Sequence, residues 1–348
     1  MTGTATREKA ATVPRAQDRS RRREALERAL AERVLVLDGA TGTALQGREL
    51  TAADFGGPDL EGCNENLCLT RPDVVEDLHA LYLEAGADVV ETNTFGATPL
   101  VLAEYGLADA AFEINREAAR LARLACARFD DARRTRFVCG SMGPTTKALS
   151  VTGGVTFDEL TEHYRVQALG LVAGGADYLL LETCQDTRNI KAGVRGIRRA
   201  FAERGEELPI AVSVTIETTG TMLAGQDAEA LAVSLGHLDL LYLGLNCATG
   251  PELMADHVRT LAELARTRVA CVPNAGLPDE DGLYHEGPTV FAEVFGRFLD
   301  AGWLNLVGGC CGTGPEHVRA LLRAVEGRSP RRPPAHHRAL VSGSRRPS

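Results

Sequence analysis

The sequence predicts a single-domain α/β protein whose strands close into a (β/α)8 barrel. Short apolar runs alternate with helical patterns along the body of the chain, and the runs are apolar almost throughout, as expected for parallel strands buried on both faces. The first run is not followed by the G-x-G-x-x-G pattern of an open dinucleotide-binding sheet. The body also has a length in the usual range of about 200 to 400 residues for a TIM-type barrel. The predicted strands are 34–37, 89–92, 137–139, 178–181, 210–214, 240–245, 269–272 and 304–307.

Helical patterns fill the intervals between these strands. Apolar residues before the second strand recur with the spacing of one face of an α-helix. This stripe consists of Val75, Leu78, Leu81, Tyr82 and Ala85. Three junctions that lead from a helix into a strand share an Ala-Gly step, at 84–88, 173–177 and 299–303. The repetition indicates a repeated βα unit.

The composition is that of an ordinary globular protein. Of the 348 residues, 44% are hydrophobic and 24% are charged, which excludes a disordered, fibrous or disulfide-scaffold chain. No apolar run approaches the roughly 18 residues of a membrane span, and the Arg-rich amino terminus lacks the apolar segment of a secretory signal. The nine cysteines are an odd number in a chain without a signal, so we expect reduced thiols in a cytoplasmic protein with no membrane partner.

Charge divides the chain into three segments. Residues 1–33 are predicted to be a basic tail or helix, with nine Lys/Arg against five Asp/Glu. Residues 34–326 are the predicted barrel and hold 23 basic and 42 acidic residues, an acidic balance that argues against nucleic acid as a partner. Residues 327–348 carry six Arg and no acidic residue and are rich in Pro, Arg and Ser. We expect this last segment to be disordered and both basic ends to be solvated rather than adhesive.

Polar, acidic and thiol residues gather where the predicted strands end, and the strand starts show no such cluster. In a β/α barrel the active site lies at the carboxyl ends of the strands. The sequence therefore predicts an active site built from these segments. They are DG at 38–39, ETN at 91–93, GSMG at 140–143, ETC at 182–184, ET at 217–218, NC at 246–247, PNAG at 273–276 and GGCCG at 308–312.

The sharpest of these features is a pair of adjacent cysteines between glycines. Neighbouring side chains on a regular strand point to opposite faces, but the flanking glycines free the backbone to turn, so that Cys310 and Cys311 can converge. Cys247 ends the sixth strand at the same end of the barrel. Three thiolates with a fourth position open are the arrangement of a catalytic zinc site. The alternatives are buried core cysteines and a strained vicinal disulfide.

The other cysteines are weaker candidates for metal ligands. Cys184 lies near a strand end and is the main rival. Cys63 and Cys68 lie in the long segment after the first strand, without a second pair beside them. The thiols expected to serve only in packing are Cys126, Cys139 and Cys271.

Five motifs together resemble a known family. They are LDGATGT at 37–43, ETNTFG at 91–96, GLNCA at 244–248, PNAGLP at 273–278 and VGGCCGT at 307–313. They are similar to the homocysteine S-methyltransferase family, most closely to the homocysteine-binding module of cobalamin-dependent methionine synthases, over residues 34–325. The resemblance implies a zinc-dependent barrel that binds homocysteine and holds one Zn²⁺ per chain by Cys247, Cys310 and Cys311. It also implies that Asn274 supplies an oxygen ligand before substrate arrives.

A zinc ion held by thiolates suits the activation of a thiol. A free thiol has a pKa near about 8.5, and only its thiolate is a good nucleophile. Metal binding removes the thiol proton. Three protein thiolates give the site one net negative charge and a substrate thiolate adds a second, so the substrate sulfur keeps its electron density. A His-rich site would leave a more electrophilic metal that activates water, so this ligand set favours alkyl transfer to sulfur.

The remaining strand-end residues suit an amino-acid substrate. The resemblance implies that Asp38, Gly39 and Glu182 bind the amino-acid end of homocysteine, with carboxylates on the ammonium group and backbone N–H groups on the carboxylate. Asn93 and Asn246 are predicted to orient the substrate or the ligands. The alternatives are a helix N-cap for Asp38, an ordinary ion pair for Glu182 and a loop tie for Asn246.

The methyl donor is the open part of the prediction. The chain lacks the D-x-H-x-x-G corrinoid-binding pattern, since the nearest match, DLHALY at 77–82, has no glycine. We expect neither a corrinoid nor a folate site here and predict a methylcobalamin protein that acts in trans. A small onium donor, S-methylmethionine or betaine, is the alternative, although aromatics are only 5% of the chain and the single Trp303 precedes the last strand. A non-catalytic zinc- or thiol-binding module is the third hypothesis.

Overall fold

The computed structural model describes residues 16–131 and 134–334. Eight parallel strands form one sheet in the order β1-β8-β7-β6-β5-β4-β3-β2. Every predicted strand is present, with ends shifted by a few residues. The strands are β1 (Leu35–Val36), β2 (Val89–Glu91), β3 (Phe137–Met142), β4 (Tyr178–Cys184), β5 (Ile210–Val214), β6 (Tyr242–Asn246), β7 (Arg268–Val272) and β8 (Leu306–Val307).

The sheet closes between β1 and β2, the two strands at the ends of this order. Leu37 and Val89 form a parallel bridge. The backbone N–H of Asp38 donates to the carbonyl of Val89 at 3.0 Å, and that of Asp88 donates to the carbonyl of Val36 at 2.7 Å. The predicted (β/α)8 barrel is therefore confirmed.

Helices surround the barrel and connect its strands. The predicted stripe lies on α5, which buries it except for the half-buried Leu81. The three similar junctions each contain a glycine with positive φ, namely Gly86 (104°), Gly175 (103°) and Gly302 (69°), a conformation that favours glycine. The helices are α1 (Ala16–Glu32), α2 (Thr41–Gln46), α3 (Ala52–Phe55), α4 (Leu67–Thr70), α5 (Pro72–Ala85), α6 (Pro99–Leu102), α7 (Ala111–Phe129), α8 (Phe157–Gly174), α9 (Thr187–Arg204), α10 (Ala228–Leu235), α11 (Pro251–Leu264), α12 (Pro288–Asp300) and α13 (Pro315–Val325).

The first helix closes the amino-terminal end of the barrel. Leu26 and Leu30 of α1 are buried in one cluster with the side chains that fill the barrel interior. Arg22 binds the carboxylate of Asp177, which lies just before β4. The helix α1 thus covers the end of the barrel opposite the carboxyl ends of the strands.

The segments outside the predicted barrel lie partly within the described residues. Arg328 forms an ion pair with Asp300. Arg331 is only 5% exposed and donates to the carbonyls of Ala262, Ala265 and Thr267, around the end of α11. The prediction of disorder for residues 335–348 falls outside the described residues. None of the described helices has the length and hydrophobicity needed to cross a membrane.

Candidate metal centre and substrate pocket

A cavity of about 310 Å³ opens at the carboxyl ends of the strands. Its wall contains the three predicted metal ligands and four of the five predicted substrate residues. It also includes apolar side chains of the barrel interior, such as Leu180 and Val272. The predicted site residues on the wall are Gly39, Asn93, Glu182, Asn246, Cys247, Cys310 and Cys311.

The thiols of Cys247, Cys310 and Cys311 come together on this wall. Their three sulfur atoms lie within 4.8 Å of one another, and those of Cys310 and Cys311 are 3.9 Å apart. A tetrahedral zinc ion with bonds of about 2.3 Å places its sulfur ligands about 3.8 Å apart. All three cysteines are free, so the vicinal disulfide is absent. The three thiols would therefore be spaced to hold a zinc ion at the cavity wall.

The backbone around the cysteines explains how they converge. Cys247 itself has a positive φ of 62°, a conformation that is costly for a residue with a Cβ. Its N–H donates to the carbonyl of Val272 at 3.1 Å, which holds the turn in place after β6. Gly312 follows the cysteine pair with a φ of 78°. The loop after β8 thus turns at this glycine, as the flanking glycines of the pair predict.

The pKa of each thiol in the cluster depends on the other two. Hydrogen bonds from Cys247 and Cys310 lower the pKa of the Cys311 thiol to about 3. One thiolate is thus stabilised among its neighbours even without a metal. A divalent cation at this point would offset two of the three thiolate charges.

The rival thiols lie elsewhere. Cys184 is buried, and its sulfur contacts the carbonyl of Glu182 at 3.6 Å. Cys68 contacts the carbonyl of Asn93 at 3.7 Å. Within the described part of the chain, no second group of three His, Cys, Asp or Glu side chains has the spacing of a metal site.

Glu182 points into the cavity as strand alternation predicts, because it lies two positions after Leu180, which also lines the cavity. The register between β4 and β5 shifts between Leu181 and Cys184, and Thr183 has a φ of 53°. The Glu182 carboxylate accepts a hydrogen bond from the hydroxyl of Ser141. Burial raises the pKa of Glu182 to about 7. A cationic group in the cavity would stabilise its ionised form.

Asn246, on the cavity wall, connects three strands. Its Oδ1 accepts hydrogen bonds from the backbone N–H of Thr183 at 3.0 Å and from the hydroxyl of Ser213 at 2.7 Å. Its Nδ2 donates to the hydroxyl of Thr183 at 2.7 Å. The side chain therefore holds the irregular segment of β4 that directly follows Glu182.

Asp38 lies behind the cavity wall. Its carboxylate is 2% exposed, and one oxygen accepts the backbone N–H of Glu91 at 3.0 Å. Burial and the nearby carboxylate of Glu182 raise the pKa of Asp38 well above its usual range. Direct contact of Asp38 with a substrate remains a prediction.

Glu91 is a wall residue that the sequence reasoning did not select. Its side chain lines the cavity, and burial followed by the charges of Glu182 and Asp38 raises its pKa well above the usual range. The signal was present in the strand alternation. Val89 fills the barrel interior, and on a strand the residue two positions later points to the same side.

Two predicted asparagines make structural contacts. Asn93 donates from Nδ2 to the carbonyl of Asn64 at 2.7 Å, which joins the segment after β1 to the end of β2. Asn274 accepts the backbone N–H of Cys311 at 3.2 Å through Oδ1. Both contacts position groups around the cavity. The role of Asn274 as an oxygen ligand of a metal remains a prediction.

Comparison with known proteins assigns the chain to a family. The family model described as homocysteine S-methyltransferase matches residues 35–325. The chain belongs to the homocysteine S-methyltransferase family.

Curated members of this family include long proteins. Over 299 residues the chain is 46% identical to the methionine synthases of Mycobacterium leprae and Mycobacterium tuberculosis. These matches cover 85% of this chain but 24% and 25% of those proteins. The chain thus spans about a quarter of the length of the curated relatives that it matches.

Solved structures of the family confirm the fold. The homocysteine methyltransferase MmuM of Escherichia coli, in its oxidized and metallated forms, superposes with a TM-score of 0.67 at 23% identity. The matches cover 83% of this chain and 95% and 96% of the MmuM chains.

Proposed function

We propose that the chain binds one Zn²⁺ through Cys247, Cys310 and Cys311 and methylates homocysteine to give methionine. The observation that carries the proposal is the group of three thiols, spaced for one tetrahedral ion, on the wall of a cavity that also holds two carboxylates. When bound, zinc supplies Lewis-acid coordination that favours the thiolate form of a substrate thiol. A metallated form of MmuM supports a metal in this family.

The other wall residues suit the amino-acid end of homocysteine. The cavity volume of about 310 Å³ lies at the lower end of the range for small-molecule sites. Glu182 and Glu91 both face the cavity, so an ammonium group between them would relieve the repulsion of two buried carboxylates. The loop that contains Gly39 precedes α2 on the same wall and offers backbone N–H groups to the substrate carboxylate.

The surface around the cavity supports a macromolecular methyl donor. Nine large hydrophobic side chains of the described residues are exposed, and each lies on a segment that follows a strand or in the first turns of the next helix. These segments form the end of the barrel at which the cavity opens. Exposed apolar side chains at this end offer contacts to a docked protein. The side chains are Leu69, Phe95, Phe112, Val151, Leu223, Leu253, Leu277, Leu283 and Val290.

The donor that fits this surface best is a methylcorrinoid protein acting in trans. Such a partner would cover these exposed apolar side chains while presenting its methyl group to the cavity. The curated relatives are named methionine synthases. A small onium donor would not require exposed apolar side chains around the cavity. A non-catalytic thiol-binding module would not require Glu182 and Glu91 on the cavity wall. The nine cysteines are all unpaired, which supports a reducing, cytoplasmic location.

Zinc content and methyl transfer test this function in two steps. The purified protein should contain about one zinc ion per chain, and C310A or C311A should lose most of it. C184A is the matched control, because it removes a neighbouring buried thiol outside the cluster. Full zinc retention in both cluster variants would refute the metal site. Chelation should abolish methyl transfer while the fold persists, because apolar burial accounts for most of the stability.

A panel of donors then identifies the methyl source. The panel contains methylcobalamin, a methylated corrinoid protein, S-methylmethionine and betaine, each with homocysteine and with an equal concentration of zinc-loaded protein. We expect methionine to form fastest with the corrinoid protein. Rapid turnover with S-methylmethionine alone would overturn the corrinoid assignment and establish the small-donor enzyme.

A further inference from the structure

A groove on the outside of the barrel is lined by cations. It has a volume of about 420 Å³ and lies between α9 and the segment that directly follows α10, which contributes His237. The α9 side chains recur with the spacing of residues that share one face of a helix. The cations that α9 contributes are Lys191, Arg195, Arg198 and Arg199. These residues form the α9 groove, which shares none of its described residues with the cavity that holds the cysteines.

The groove exists because α10 is short. The helix α9 has 18 residues and α10 has eight, which correspond to lengths of about 27 and 12 Å, so α10 cannot cover the whole flank of α9. The opposite flank of α9 is closed. A Cβ atom at Gly196 would lie 2.4 Å from the carbonyl oxygen of Thr161 in α8, so the backbones of α8 and α9 are in close contact there. The flank of α9 toward α10 is therefore the open one.

Part of the positive charge in the groove lacks a neutralising neighbour. Arg195 pairs with Asp158, but both side chains are exposed, so the pair contributes little. Within the described part of the chain, Lys191 and Arg198 have no acidic partner. The helix α9 has six basic residues and one acidic residue, whereas residues 34–326 hold 23 basic and 42 acidic residues. The groove is thus a positive surface on a negatively charged body, and it attracts an acidic ligand.

The apolar part of the groove indicates what kind of acidic ligand fits. Val194 is buried, Leu238 is half-buried and Ala202 is exposed, and all three line the groove between the cations. An apolar strip with cationic edges matches an amphipathic helix whose acidic side chains flank its apolar face. Inorganic phosphate would leave these apolar side chains uncovered. Among the described residues of the groove none is aromatic, so the groove lacks the side chains on which nucleic-acid bases stack.

The two ends of the chain do not carry the charge that the groove attracts. Residues 1–15 hold three basic residues and one acidic residue, and residues 335–348 hold three Arg and no acidic residue. Both segments lie outside the described residues, but their charge has the same sign as that of the groove. The occupant that fits by charge is therefore a segment of another molecule.

We propose that the α9 groove is the docking site for an acidic amphipathic helix of a partner protein. The acidic side chains of this helix pair with Lys191 and Arg198, and its apolar side chains cover Leu238. Because the groove and the cavity are formed by different residues, docking leaves the cavity accessible. The inference requires neither the zinc ion nor the methyl donor, so its failure and that of the proposed function are independent.

A labelled acidic peptide tests the groove directly. The probe is a lactam-stabilised helical peptide of Leu, Ala and Glu, about 16 residues long, which is enough to span the distance of about 17 Å from Lys191 to Ala202. A second peptide has the same composition in an order that disperses the Leu residues around the helix. Fluorescence anisotropy at low and high salt measures the affinity of both peptides for the full chain, for K191E/R198E and for R28E/R128E. The last variant is the matched control, because it reverses two exposed arginines outside the groove and changes the net charge equally.

The expected result is specific to the groove. The wild type and R28E/R128E should bind the amphipathic peptide with similar affinity, and K191E/R198E should bind it about tenfold or more weakly, because two attractive charge pairs become repulsive. The affinity of the wild type should fall as the salt concentration rises. The peptide with dispersed Leu residues should bind about fivefold more weakly than the amphipathic one. K191Q/R198Q, which removes the charges without reversing them, should be intermediate, and circular dichroism checks that each variant is folded.

Several outcomes would overturn the inference. They include no binding of the amphipathic peptide by the wild type at low salt, equal affinity of both peptides, and equal losses in the two charge-reversal variants. Tighter binding of oligouridylate of the same length would assign the groove to nucleic acid. A wild-type dimer in sedimentation that K191E/R198E abolishes would assign it to a second copy of this chain. Zinc content and methyl transfer are measured separately, so each of these outcomes leaves the proposed function intact.

Discussion

Asn246 holds Thr183 through both ends of its side-chain amide. Oδ1 accepts the backbone N–H of Thr183 at 3.0 Å, and Nδ2 donates to its hydroxyl at 2.7 Å. Thr183 needs this support because it has a φ of 53°, which is unfavourable for a β-branched residue. The contact fixes the point at which β4 departs from regular register, directly beside Glu182.

Removal of this amide should loosen the substrate site. N246A leaves the buried N–H of Thr183 without its partner, which should cost about 1–3 kcal/mol of unfolding free energy. Glu182 directly precedes Thr183, so a shift of the Thr183 backbone should displace the Glu182 carboxylate. We therefore expect homocysteine affinity to fall about tenfold, as small misplacements of a binding group commonly cause. Denaturant titration and calorimetry of zinc-loaded protein measure the two effects.

Asn305 provides the matched control for this variant. It is buried at the amino-terminal end of the barrel, where Oδ1 accepts the N–H of Val269 at 3.0 Å and Nδ2 donates to the carbonyl of Arg331 at 2.8 Å. N305A should lose comparable stability without a change in homocysteine affinity. Equal losses of affinity in both variants would show that Asn246 acts only through global stability.

The two wall carboxylates should recognise the ammonium group of the substrate. E182Q and E91Q keep the size of each side chain but remove its charge, so each should weaken homocysteine binding about tenfold or more, the usual cost of a lost hydrogen bond to a charged group. Zinc content should stay near the wild-type value. Calorimetry with homocysteine and with 4-mercaptobutyrate, which lacks the amino group, separates this effect from metal binding. A variant that loses equal affinity for both ligands would contradict ammonium recognition.

A buried carboxylate at the other end of the barrel should control acid stability. Burial alone would raise the pKa of Asp177, but Arg123 and Arg22 outweigh this effect and hold the pKa below its usual range. The ionised carboxylate therefore stabilises the fold above the ordinary Asp pKa of about 3.9, and the stabilisation is lost as the pH falls through the lower folded-state pKa. D177N should lose about 3–5 kcal/mol at pH 7, because it breaks the buried pairing of this carboxylate with Arg22 and Arg123.

The loss in D177N should shrink as the pH approaches 3. Denaturant unfolding at pH 7 and pH 3 measures this change. D256N is the control, since the exposed pair of Asp256 and Arg259 should contribute less than about 1 kcal/mol. A pH-independent difference between D177N and wild type would contradict the pKa assignment.

The strands and the cluster of three thiols were predictable because local patterns determine them. A run of apolar residues followed by a polar residue marks the carboxyl end of a strand, and parallel strands in a barrel bring these ends together. This reasoning places Cys247 and Cys310 in one site although they are far apart in the chain. The glycine that directly follows the cysteine pair, Gly312, makes the local turn.

Other features depend on contacts that no local pattern reveals. The irregular register of β4 rests on Asn246, which is 63 residues from Thr183 in the chain. The side chain of Asp38 turns to the backbone of Glu91 because only the closed barrel brings β1 and β2 together. The position of α1 at the end of the barrel likewise depends on tertiary packing, since the charge of residues 1–33 predicts a basic tail or helix without placing it.

X-ray absorption at the zinc edge tests the central claim most directly. The zinc-loaded protein should show three sulfur neighbours at about 2.3 Å, and saturating homocysteine should raise this number to four with the release of a proton. Homoserine, which has a hydroxyl in place of the thiol, should leave three. A count that stays at three with saturating homocysteine would contradict direct activation of the substrate thiol at the Cys247, Cys310 and Cys311 site.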